Sequence, residues 1–143
     1  MNAGGLRLGA VTADGAAYVS EGHSVPADEL AAALERARQA AEILEARLAH
    51  EPLSLATRVA VIVDDGVITG LTLAAGCRWA RRQHVARLVA ATPVAHIAGL
   101  ERVRGEADEI VCPNPLEEIA VVGQAYDSFD PLEEWYVASL LAE

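Results

Sequence analysis

The residues best suited to chemistry in this chain lie together in Val61-Ile62-Val63-Asp64-Asp65-Gly66-Val67-Ile68-Thr69-Gly70-Leu71-Thr72. An apolar run ends on two adjacent carboxylates and passes into a small-residue turn carrying two hydroxyls and a glycine. Charge at the end of a buried strand is costly unless a partner or a bound group compensates it, so Asp64 and Asp65 point to a ligand. Carboxylates accept hydrogen bonds from sugar hydroxyls and hold Mg²⁺ directly or through water. Ile68, Thr69, Gly70, Leu71 and Thr72 fall at the start of the next helical stretch, where free N–H groups and the helix dipole attract an anion such as phosphate. Thr69 and Thr72 add hydroxyl donors, and Gly70 permits close backbone approach. Hydroxyls on one side and phosphate on the other describe a ribose 5-phosphate. Aspartates at strand ends also cap helices and brace turns, but the ordered series of strand, acid pair, Thr-Gly-x-Thr turn and helix favours the ligand.

Several elements must position these groups. Residues 6–20 read as a hairpin around Ala13-Asp14-Gly15, since Asp-Gly accepts the positive φ angles of a tight turn. Leu30, Leu34, Ala37, Ala41, Leu44 and Leu48 recur at steps of four and three, which predicts a helix from about 27 to 50, stopped by Pro52. That stripe suits packing on its own domain, with self-pairing as the alternative. Strands follow at 58–63, 87–94 and 109–112, and helices at 72–83, 95–104 and 130–141, the last with Pro131 in its first turn. Strand, helix, strand, helix, strand is a doubly wound parallel α/β arrangement, in which ligands collect beyond the carboxyl ends of the strands. At 143 residues the chain is expected to form one domain. Its parts are a hairpin at 1–22, a helix at 24–50 and an α/β core at 55–143.

Composition narrows the chemistry. The formal net charge is -10, and all eleven basic residues are arginines. An acidic surface repels phosphate backbones and anionic lipid, so neither nucleic acid nor a membrane is an expected partner. The lack of lysine removes Walker-type phosphate binding and Schiff-base chemistry. It also removes haloacid dehalogenase-like phosphatases and receiver domains, both of which combine their acids with a lysine. Cys77 and Cys112 show no zinc spacing and read as reduced thiols. No run of about 18 apolar residues occurs, and a cytoplasmic location is expected. His23, His50, His84 and His96 are dispersed and read as surface or helix-end residues. Arg78, Arg81 and Arg82 suit a solvated helix face paired with acids, and Trp79 suits packing. Tyr126, Phe129, Trp135 and Tyr136 suit closure of the core or of a subunit interface, with a lid over the ligand as the alternative.

VIVDDGVITGLT resembles the signature of type I phosphoribosyltransferases, in which a strand leads into two acids, a Thr-Gly loop and a helix. LRLGAVTADGAAYV, RLVAATPVA, ADEIVC and AVVGQAYDSFDPLEEW are similar to further segments of one branch of that family. The resemblance implies a truncated phosphoribosyltransferase-type sheet and a site for 5-phosphoribosyl 1-pyrophosphate (PRPP) with Mg²⁺. Asp64 and Asp65 would engage the ribose 2′ and 3′ hydroxyls and, indirectly, the metal, while residues 68–72 would wrap the 5-phosphate. The implied reaction displaces pyrophosphate at C1 by a nitrogen nucleophile. Departures from the pattern are expected to matter. The chain starts after the family's Gly-rich pyrophosphate loop and Arg-Lys pair. Ile68 stands where some purine-specific relatives carry a third acid, and Ile119 where an aromatic is common. Catalysis would then need a complementing chain or segment. The alternatives are a non-catalytic phosphoribosyl-binding module or a structural remnant held as a homo-oligomer.

Overall fold

The computed structural model describes residues 2–3, 6–48 and 54–141. Two short antiparallel pairs come first: β1 (Asn2–Ala3) with β2 (Leu6–Arg7), then β3 (Gly9–Val11) with β4 (Ala17–Val19). The β3–β4 turn is closed by Asp14, whose carboxylate accepts from the Thr12 hydroxyl at 2.5 Å and the Ala16 N–H at 3.1 Å. The expected hairpin is therefore present, preceded by a further small pair.

Helix α1 (Ala27–Arg47) carries Asp28 and Glu29 in its first turn, where they favour the positive end of the dipole. Arg38 bridges Glu35 and Glu42 on its solvent side. Of the stripe, Leu30, Leu34, Ala37, Ala41 and Leu48 are half-buried and Leu44 is exposed, and α1 packs against β3. The helix thus lies on its own chain. His50 and the Pro52 stop fall outside the described residues.

The central sheet is parallel, in the order β5 (Val59–Val63), β6 (Arg87–Ala91), β8 (Glu109–Val111). Helix α2 (Leu71–Arg82) connects β5 to β6, and α3 (Ile97–Val103) lies between β6 and β8. Side chains alternate across a strand, so Ala60, Ile62, Leu88, Ala90 and Ile110 share the face that packs on Leu73, Ala74, Cys77 and Ala80 of α2 and on Val103 of α3. This is the core, built of small and branched aliphatics as the composition requires. The strand order advances in one direction, so right-handed crossovers put α2 and α3 on the same face, where they touch. The opposite face stays open: Val59, Val61 and Val63 are 63%, 54% and 72% exposed, and Val111 is exposed beside them.

Boundaries of β5, α2 and β8 shift by one residue from the sequence reading, and three larger differences change the architecture. The run 87–94 is two strands, because Thr92-Pro93 breaks it: the Thr92 hydroxyl donates to Val94 O at 3.0 Å and Asn114 Nδ2 donates to Pro93 O at 3.0 Å. The chain then enters β7 (Val94–His96), which pairs in parallel with β9 (Asn114–Leu116) on one side and bridges Val67 on the other. The helix expected from 95 starts at Ile97, because His96 is still in the strand and caps it, Nδ1 accepting from Ala98 N at 3.0 Å. The last helix, α4, is Glu134–Leu141, so Pro131 lies before it; its first turn is closed by the Tyr136 and Val137 N–H groups on Glu133 O.

Leu88→Ala, which empties a fully buried site, is expected to cost about 2–5 kcal/mol. Val61→Thr on the open face is expected to stay within about 0.5 kcal/mol. Urea unfolding of dilute protein measures both, and equal losses would contradict the one-sided core.

Candidate functional site

The acid pair sits at the carboxyl end of β5. Asp64 N donates to Ala91 O at 3.0 Å, which carries the ladder one residue past the strand, and the chain then leaves the sheet. Val67 is caught by β7, its N–H donating to Val94 O at 3.0 Å and its carbonyl accepting from His96 N at 2.7 Å. The loop is therefore held between two parallel ladders, with Asp64 at one end and α2 at the other.

Gly70 caps α2 in the left-handed region, φ 76°, and its carbonyl accepts from Ala74 N at 2.9 Å. A Cβ here would run into the backbone of Gly99 on α3. The position needs glycine for both its dihedral and its contact. No hydrogen bond from the N–H groups of Ile68, Thr69, Gly70, Leu71 or Thr72 occurs among the described residues. Five consecutive N–H groups without a partner among the described residues thus lie at the positive end of a 12-residue helix, an arrangement that attracts anions in general. Gly70 and Leu71 are buried, so their N–H groups have little other compensation.

Asp64, Asp65, residues 66–70, Thr72, Leu73 and Val122 line one cavity of about 170 Å³. This is below the roughly 300–1,000 Å³ of pockets that take drug-sized ligands. Every site residue expected from sequence except Leu71 lines it; Leu71 is buried beneath the loop. A larger cavity of about 380 Å³ between Leu44, Leu48 and Trp79 is mostly apolar and remote from the aspartates. We place the site at the smaller one, where the polar groups converge.

Burial, then the neighbouring Asp65 charge, raises the Asp64 carboxyl above its ordinary value, against the pull of the Asp65 and Gly66 N–H groups. Ionised Asp64 is thus held at a cost to the free protein, which a cation or a set of donor hydroxyls would relieve.

Downstream residues complete the site. The 3-10 turn Val122–Ala125 lays Val122 so closely over Gly66 that a Cβ there has no room. The Tyr126 hydroxyl donates to Asp65 O at 2.5 Å and its ring leans on Phe129 at 5.0 Å. Arg102 on α3 donates to Thr69 O at 2.5 Å. Of the aromatic group, Tyr126 and Phe129 adjoin the site, whereas Trp135 and Tyr136 pair with each other on an exposed helix. Arg102 and Val122 carry no signal in the sequence, because their contacts join segments tens of residues apart.

The other candidates are structural. Arg78 pairs with Glu106 at 2.7 Å, donates to Ala17 O at 2.9 Å and lies over the Tyr18 ring. Arg81 pairs with Asp108 at 2.5 Å, and Asp108 also accepts from Leu88 N at 2.7 Å. The paired helix face is therefore the correct reading for both. His84 ends α2 with φ 57°. Cys77 is buried, and burial raises its thiol to about 11, which keeps it protonated and inert. Among the described residues no group of three or more His, Cys, Asp or Glu converges on a metal position, and no helix is long and apolar enough to cross a membrane.

A strand-end acid pair thus shares one cavity with the N-terminus of the following helix in a parallel α/β sheet. Comparison with known proteins gives the family. Residues 5–128 match the phosphoribosyl transferase domain. Two Mycobacterium tuberculosis proteins, from strains CDC 1551/Oshkosh and H37Rv, each provisionally named a phosphoribosyl transferase, are 36% identical over 95 residues. The matched stretch is 66% of this chain and 21% of those relatives' length. The crystal structure of TT1426 from Thermus thermophilus superposes with a TM-score of 0.77 at 27% identity, covering 94% of this chain and 66% of that one. The chain belongs to the phosphoribosyltransferase family.

Asp64→Asn is expected to melt higher than the parent at neutral pH, because it removes a charge the fold disfavours. A raised folded-state pKa means that stability is lost as pH rises through it. The difference should close below the usual carboxylate range, where Asp64 is itself neutral. A gap between the two melting curves that is independent of pH would refute this assignment.

Proposed function

We propose that this chain binds PRPP, or another group ending in ribose 5-phosphate, in the Asp64–Thr72 cradle. The observation that carries the reading is that Ile68, Thr69, Gly70 and Thr72, whose N–H groups make no hydrogen bond among the described residues, line the same cavity as two adjacent carboxylates. Asp64 and Asp65 accept hydrogen bonds from the ribose 2′ and 3′ hydroxyls. The backbone of residues 68–72, with the Thr69 and Thr72 hydroxyls, takes the 5-phosphate.

The donor set suits Mg²⁺, a hard cation that prefers oxygen ligands and keeps several waters: the two adjacent carboxylates would offer it hard oxygen acceptors, and the raised proton affinity of Asp64 would be offset by a nearby cation. Asp64 and Asp65 would hold the ion through the ribose hydroxyls or water, and when bound it would offset the charge of a departing pyrophosphate. In the transfer reaction a nitrogen nucleophile displaces pyrophosphate at C1 as positive charge builds on the sugar. The carboxylates favour that charge, and the phosphate cradle anchors the far end of the substrate. Ile68 offers no proton acceptor, so the loop itself supplies no general base.

Turnover on this reading requires a pyrophosphate-binding half from another segment or chain. The alternative is a non-catalytic phosphoribosyl-binding module. The reading includes self-association of the chain, favoured by the exposed valines of β5, and a cytoplasmic setting with reduced cysteines. A strictly monomeric species by light scattering at high concentration would remove the first.

Calorimetric titration with PRPP and Mg²⁺, with ribose 5-phosphate and pyrophosphate as comparison ligands, tests the assignment. Saturable heat is expected with PRPP and ribose 5-phosphate and none with pyrophosphate alone. Asp65→Asn combined with Thr69→Ala should weaken binding by at least about tenfold, the loss of one or two hydrogen bonds to charged groups. Undiminished binding by that double variant would falsify the site. Pyrophosphate release by the isolated chain would eliminate the non-catalytic alternative.

A further inference from the structure

Resting on the cradle reading above, we infer that Arg102 is a positioning residue that sets the cradle's affinity for phosphate from behind the loop. Its guanidinium Nη1 donates to Thr69 O at 2.5 Å. A trans peptide is planar, with its C=O and following N–H pointing in opposite directions. Drawing the Thr69 carbonyl onto α3 therefore turns the Gly70 N–H the other way, and Gly70 and Thr69 both line the cavity that also holds Asp64 and Thr72. Arg102 itself does not line that cavity. It acts through the peptide and not by touching the ligand.

Three observations make this more than an incidental surface contact. First, the Thr69–Gly70 peptide has no other hydrogen bond fixing its tilt among the described residues: neither the Thr69 nor the Gly70 N–H makes one. Second, Arg102 lies one turn beyond Gly99, whose backbone touches Gly70 and Ile68, so α3 supports the loop at adjacent points by backbone contact and by the guanidinium. Third, Arg38, Arg47, Arg78, Arg81, Arg87 and Arg104 pair with carboxylates, whereas among the described residues Arg102, like Arg36, Arg58 and Arg82, has no carboxylate partner, and of these four it is the one bonded to the loop carbonyl. Its positive charge is not neutralised by a partner, and it stands behind the free N–H groups in a chain of net charge -10. Orientation of the peptide dipole and an unneutralised cation both favour an anion in front of the loop.

The test uses Arg102→Met, which removes donor and charge, and Arg102→Lys, which keeps one donor and the charge. Two readouts are taken. In the ligand-free protein the Thr69 carbonyl ¹³C resonance is expected to move upfield in Arg102→Met, as it does when a carbonyl loses a hydrogen bond, with the Gly70 amide moving too. Arg102→Lys should lie close to the parent. In titrations, Arg102→Met should weaken ribose 5-phosphate and inorganic phosphate by about tenfold, the scale of one charge-assisted hydrogen bond. Arg102→Lys should restore most of that loss, and free ribose, which lacks the phosphate, should bind all three proteins alike. Equal affinity of parent and Arg102→Met for ribose 5-phosphate, or an unmoved Thr69 carbonyl, overturns the inference. If the parent binds no phosphate ligand, the cradle reading fails and takes the affinity role of Arg102 with it. The carbonyl shift then still reports whether the clamp exists. Matching thermal melts for the three proteins exclude a folding defect as the cause.

Discussion

The structure around the site depends on the contact between two glycines, Gly70 at the head of α2 and Gly99 within α3. Neither has room for a methyl group: Gly70 meets the Gly99 carbonyl and Gly99 meets the Ile68 carbonyl. That approach brings the backbone of α3 against the loop and sets where α2 begins. From it follow the left-handed turn at Gly70, the five free N–H groups and the reach of Arg102 to Thr69. A side chain at either position would separate loop from helix and turn the donors away from the carboxylates. The interlock joins α3 to the loop at the head of α2 on the sheet face that the two helices share.

Around this contact the molecule divides labour by element. The parallel strands end where the ligand groups are displayed, and the short ladder of Val67, β7 and β9 redirects the chain so that the loop leaves the sheet plane. The Thr92-Pro93 break makes this possible, since an uninterrupted strand from 87 would carry β7 on beyond β6 and leave Val67 without a partner. Ion pairs such as Arg81–Asp108 and Arg87–Glu109 lie at the opposite, amino-terminal end of the strands. Exposed pairs of this kind contribute little to stability, so they serve mainly to fix register away from the site.

Much of this is legible in the residues themselves. Apolar runs of five with periodic stretches between them mark β5, β6, α2 and the α/β class, because the physics of alternation and of the 3.6-residue repeat acts locally. The acid pair and the Thr-Gly turn are equally local, so Asp64, Asp65 and the loop can be read together. What stays hidden depends on contacts between distant segments. Arg102 reaches a carbonyl 33 residues earlier, and Tyr126 one 61 residues earlier. Neither residue type announces such a partner. The division of 87–94 depends on Thr92 and Asn114 satisfying the backbone around Pro93, and β9 is a three-residue strand holding a proline, which local propensity disfavours. The sequence pattern starts α4 too early because Pro at an early helical position is favourable but not obligatory.

The open face of β5 and β6 has a thermodynamic consequence. Its valines are already hydrated in the folded chain, so unfolding brings less new apolar surface into water than the length of the sheet suggests. Heat capacity change and denaturant sensitivity both scale with that new surface. A lone chain should therefore have a shallow, flat stability curve, with weak dependence on temperature across the physiological range. Anything that covers the valines would make the curve taller and more sharply bowed, so the shape of the calorimetric trace, and not only its midpoint, reports whether the sheet is wet or dry.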